Sequence, residues 1–148
     1  MEVFMLGFII ALISGALMSI QGVFNTEVTK QSSTWTTSTF VQATGFLACL
    51  IIWIVTERDQ SFMMLFKVSP KYLLLGGIIG AAITFTVIKS VASLGPAQSA
   101  MLIVASQSVV SYLIEVFGMF GVEKAEFQWI KLLGVVLFVA GLIIFKWK

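Results

Sequence analysis

Runs of about twenty apolar residues recur along this chain, and they decide what it can become. Folded as a helix rising ~1.5 Å per residue, such a run crosses the ~30 Å hydrocarbon core of a bilayer. Five are present in the 148 residues: 3–24, 35–56, 71–91, 97–117 and 127–145. They are continuous rather than alternating, which predicts helices and not a β-barrel. Charged residues make up 11% of the chain, against roughly 25% in an ordinary soluble domain. A soluble fold of this length has no means of burying 59% hydrophobic residues without large exposed patches. The expected fold class is an all-α membrane protein, with residues 1–148 forming a single domain of five transmembrane helices. The first run opens behind Glu2 rather than Lys or Arg, and no small-residue cleavage pattern follows it. It reads as the first span and not as a cleavable signal.

The connections are short. A polar stretch from Asn25 to Ser33 joins spans one and two. The longest connection, Glu57 to Ser69, carries Glu57, Arg58, Asp59 and Lys67 around an apolar middle, Phe62 to Phe66, suited to the membrane interface. Ser93-Leu94-Gly95-Pro96 makes a turn, because Gly and Pro interrupt a helix there. Residues 123–126 form the last connection, and Lys146-Trp147-Lys148 close the chain. Trp35, Trp53, Tyr72, Trp129 and Trp147 fall near span ends, where aromatic residues anchor spans in the interface.

Charge and residue usage exclude several functions. Net charge is +2, with no polybasic run to attract nucleic acid. The chain has no His, and Cys49 is its one cysteine. That removes an intrachain disulfide and any Cys/His metal site within the chain. No P-loop and no nucleophile beside a plausible base is present. The expectation is a protein that is not an enzyme and uses no metal or other cofactor. Five spans place the termini on opposite sides. Arg58, Lys67, Lys71, Lys124 and Lys131 then share the N-terminal side, and Lys30, Lys89, Lys146 and Lys148 the other. Five against four is almost no positive-inside bias. Either the chain inserts in both orientations, so that inverted copies pair, or other features select one orientation.

Polar residues inside spans are costly and tend to face other helices or a cavity. Ser14, Met18, Gln21 and Asn25 fall on one stripe of span one at 100° per residue. Thr34, Ser38, Gln42, Gly45 and Cys49 do so in span two. Gln107, Ser108, Ser111 and Glu115 share an arc of span four. Three polar seams suggest a common polar cavity; the alternative is that these groups hold helices together by hydrogen bonds of ~0.6–2 kcal/mol each.

Glu115 has two readings. If its helix ends at Gly118, it is a boundary charge. If the helix runs on through Val122, it lies deeper, desolvation favours its protonated form, and it becomes a candidate proton or cation site. Lys89 has a stem long enough to snorkel to the nearby interface. Gly76-x-x-x-Gly80, Gly77-x-x-x-Ala81, Gly134 and Gly141 permit close helix approach, within the chain or between chains.

Two segments resemble a known family. Gln21-Gly22-Val23-Phe24-Asn25 ends span one. Leu94-Gly95, Gln107 and Glu115-Val116-Phe117-Gly118-Met119-Phe120-Gly121 follow in order, before a closing Gly-containing span. With five spans, these resemble the YdcZ-like group of the drug/metabolite transporter superfamily over the whole chain. Glu115 stands where that group often has Asp. The resemblance implies half of a ten-helix inverted-repeat transporter, completed by a second copy of the chain in inverted orientation as an antiparallel homodimer. It implies a bacterial inner (cytoplasmic) membrane location and a small-molecule substrate bound near the midplane between the repeats.

The resulting expectation is an exporter or exchanger of small organic solutes, metabolite or drug-like, working by alternating access at the dimer interface. Gln21, Asn25, Ser38, Gln42, Gln107 and Ser111 are its candidate substrate-binding residues, and Glu115 its candidate ion- or proton-coupling residue. A passive dual-topology channel and a structural or assembly subunit use the same seams and stand as alternatives.

Overall fold

The computed structural model describes residues 2–58 and 60–146; Met1, Asp59, Trp147 and Lys148, and the side chains of Glu2, Leu142 and Lys146, lie outside the described residues. Five α-helices follow one another: α1 (Glu2–Lys30), α2 (Thr34–Thr56), α3 (Gly76–Leu94), α4 (Pro96–Phe117) and α5 (Trp129–Lys146). Among the described residues there is no strand. Four segments are long and apolar enough to cross a membrane: Val3–Lys30, Thr34–Thr56, Lys71–Leu94 and Pro96–Phe117. Trp129–Phe145 is a shorter apolar helix.

What is buried is the reverse of a soluble protein. Among the described residues, Ile88 is the one buried apolar side chain; the buried polar ones are Asn25, Thr26, Thr37, Ser38 and Ser99. Apolar side chains point outward along all five helices, including Phe4, Phe24, Phe46, Ile78, Phe117 and Ile144. Outward apolar groups and inward small polar groups suit a solvent of lipid tails, where contact between apolar side chains gains little over contact with lipid.

The helices group into two units, Met1–Ser93 and Leu94–Lys148. In the first, α1 and α2 form a hairpin closed by hydroxyls. The polar connection expected from Asn25 shrinks to Gln31–Ser33, because α1 continues through Lys30. Thr26 and Thr29 donate back to the carbonyls of Gly22 and Asn25, and Lys30 pairs with Glu27 at 2.6 Å. These polar residues satisfy themselves inside the helix, so nothing forces the chain to leave it. Ser33 then caps α2, accepting from the Thr36 N–H. Thr37 is the latch of the hairpin: its hydroxyl lies 3.0 Å from Thr29 Oγ1 and 2.9 Å from Ser32 Oγ.

Two contacts tie α3 to this hairpin. A Cβ placed on Gly22 would lie 3.3 Å from Val87 and 3.6 Å from Val91, so α1 and α3 approach through a glycine. Trp35 stacks on Phe85 with centroids 4.6 Å apart, and the Lys89 ammonium sits over the same Phe85 ring. The connection between α2 and α3 folds back on α2. Phe62–Lys67 is a 3-10 turn, Phe62 packs edge-on against Trp53, and the Trp53 indole donates to the Gln60 carbonyl. A second 3-10 turn, Lys71–Leu75, leads into α3.

In the second unit, Gly95 (φ 80°) and Pro96 open α4. Gly118, at φ 64° and ψ 40°, ends it in the left-handed region that glycine tolerates. The earlier-ending reading of this helix is therefore the one the chain adopts, and Glu115 lies in the last turn. A 3-10 turn, Met119–Gly121, and an irregular stretch bring the chain back. The Ala125 N–H donates to the Glu115 carbonyl at 2.8 Å. Tyr112 then fixes the start of α5: its hydroxyl accepts from the Gln128 N–H at 2.7 Å and lies 3.2 Å from the Gln128 carbonyl.

Candidate transport site

Hydroxyls in apolar helices usually donate to the carbonyl one turn back. Ser14, Ser19, Thr26, Thr44, Thr84 and Ser108 all do so here. The six candidate substrate residues behave differently. Among the described residues, no hydrogen bond is made by the side chains of Gln21, Asn25, Ser38, Gln42, Gln107 or Ser111. Ser38 is 3% exposed, and its hydroxyl is buried without a partner. Leaving such a group unpaired costs about 1–3 kcal/mol.

In the first unit these residues lie on the α1–α2 hairpin and toward α3. Asn25 and Ser38 are buried near the turn. Gln21 is exposed one turn further along α1. Gln42 is exposed too, and its amide reaches α3: a Cβ placed on Gly80 would lie 3.5 Å from Nε2.

The second unit holds a groove of about 430 Å³ between α4 and α5. Its polar lining is Ser108, Ser111, Tyr112, Glu115 and Lys131, with Gly134 opposite. Lys131 Nζ donates to Glu115 Oε2 at 3.3 Å. The same ammonium lies 5.2 Å from the centre of the Tyr112 ring. Both side chains remain close to half exposed, Lys131 at 43% and Glu115 at 47%. The volume lies within the range of small-molecule pockets, ~300–1,000 Å³.

Ser111 and Glu115 are thus brought together on one groove wall, while Gln107 is exposed on α4 and does not line the groove. Lys131 and Tyr112 enter the site without having been singled out by the sequence. One signal for them existed. In an antiparallel hairpin, residues equidistant from the turn face each other, and Glu115 and Lys131 are opposite charges at near-equal distance from it.

The charges stand at unfavourable helix ends. Glu115 is in the last turn of α4, where the helix dipole is negative, and Lys131 is in the first turn of α5, where it is positive. Each is offset by the other charge rather than by its own helix.

A family model described as "Putative inner membrane exporter, YdcZ" matches residues 6–144. No curated protein and no solved structure matches the chain.

Proposed function

The chain belongs to the YdcZ family of inner-membrane exporters, and from that premise we propose that it carries small organic solutes by alternating access as an antiparallel homodimer. All five helices cross the membrane in this reading, and a second, inverted copy supplies the other half of a ten-helix transporter. One observation carries it. Among the described residues, the amides and hydroxyls of Gln21, Asn25, Ser38, Gln42, Gln107 and Ser111 have no hydrogen-bond partner, although several neighbouring hydroxyls do. Helix glue consumes hydrogen bonds; these groups keep theirs free for a solute and its water. A dehydrated solute recovers from them part of what it loses on leaving water. Glu115 takes the role of coupling residue, exchanging its lysine partner for an ion or proton.

Cysteine accessibility tests this without knowing the solute. In a Cys49→Ala background, Gln42→Cys and Gln107→Cys should react with a membrane-impermeant maleimide added to either face of sealed membranes. Leu102→Cys, on the opposite, apolar face of α4, should not. Failure of both glutamine positions to react from either side would mean that the seams face protein or lipid and not a solute path.

A further inference from the structure

The α4–α5 groove has a chemistry that says more than transport. It is bipolar: a carboxylate and an ammonium stand at one end, 3.3 Å apart, and hydroxyl and apolar groups line the rest. Ala105 and Phe138 are the groove residues farthest from the turn, twelve and nine residues from their helix ends, rises of about 18 and 14 Å. The groove therefore runs from a charged mouth to about half the depth of a ~30 Å core.

The ion pair is loosely held. It is a single contact, and both members are almost half exposed. Exposed pairs of this kind contribute little to stability, so separating them asks little of a ligand. Each charge also opposes its own helix dipole. A ligand ammonium placed on Glu115 would meet both the carboxylate and the negative end of α4. A ligand acid group placed on Lys131 would meet the ammonium and the positive start of α5. A ligand with a single charge leaves one member of the opened pair unmatched, and that imbalance sets the selectivity. The Tyr112 ring beside Lys131 adds a face for a cation.

We propose that this groove binds zwitterionic organic solutes, the ligand's ammonium on Glu115, its acid group on Lys131 and its apolar body toward Phe138. The assignment rests on the exporter reading for its purpose, but the site itself is a matter of equilibrium binding. A free solute and the head of a zwitterionic lipid share the required chemistry.

The test uses purified full-length protein in nanodiscs of phosphatidylglycerol and three probes with one apolar body. L-Leucine carries both charges, 3-methylbutylamine only the cation, and 4-methylpentanoate only the anion. Binding is read by isothermal calorimetry, which needs no flux and so is blind to whether the chain exports anything. Leucine is expected to bind at least about tenfold more tightly than either relative. Glu115→Gln should reverse the order in favour of 4-methylpentanoate, and Lys131→Gln in favour of 3-methylbutylamine. Repeating the leucine titration in phosphatidylethanolamine nanodiscs separates the sources. Abolished binding there assigns the groove to the lipid head, and retained binding assigns it to the free solute. Equal affinity of the wild-type protein for all three probes, or no binding of any, overturns the proposal even if the variants fail to fold. Export together with an unchanged probe order in Glu115→Gln and Lys131→Gln would leave the exporter reading intact and remove only this site.

Discussion

Gly118 shows how much one residue decides. Its φ of 64° ends α4, and a Cβ there would lie 3.1 Å from the Cβ of Lys124. Gly118→Ala therefore adds left-handed strain and a close contact together. The expected loss is about 1–2 kcal/mol of stability in the second unit, seen as a lower thermal midpoint in detergent. Gly95→Ala meets no neighbour within 4 Å, but at φ 80° and ψ 162° its backbone lies in a region that only glycine readily occupies, so its cost is strain alone. At this scale the sequence was partly readable. A glycine after a long apolar run marks a helix end, and it already offered Gly118 as the stop that makes Glu115 a last-turn residue. It did not show that Glu115 meets Lys131, because that contact depends on how the irregular stretch before α5 returns the chain. Nor did it show which hydroxyls would donate to their own helix and which, like Ser38, would stay unpaired. That choice depends on rotamers, and composition is silent on rotamers.

The helices themselves were the easiest objects to read, because crossing a bilayer demands length and apolarity together. Their ends were harder. α1 runs on to Lys30 since Thr26, Thr29 and the Glu27–Lys30 pair find partners within the helix, while polarity alone suggested a loop. The glycines divide by what surrounds them. Gly22 is a true packing position against Val87 and Val91, whereas Gly76, Gly77, Gly134 and Gly141 meet nothing within 4 Å of a built Cβ. Gly22→Leu should overpack the first unit and lower its stability by about 1–3 kcal/mol. Gly76→Leu and Gly141→Leu should leave the monomer unchanged in thermal unfolding. Loss of crosslinked dimer in either variant would place that helix at the contact between copies, and intact dimer in both would exclude these small-residue faces from it.

For the molecule as a whole, the exposed apolar surface and the unpaired polar groups have one explanation each. Lipid covers the first, and the proposed antiparallel dimer assigns the other to a solute path and a second copy. The nearly even distribution of Lys and Arg was visible in the sequence from the start, yet it is a statement about insertion that no single chain's contacts decide. The most direct measurement is the sidedness of the C-terminus in intact cells. Two reporters are placed after Lys148, a fluorescent protein active only inside and a phosphatase active only outside. The antiparallel homodimer predicts comparable signals from both fusions. A signal from one fusion alone would contradict it, and would mean that the chain works in parallel or with a different, oppositely inserted partner.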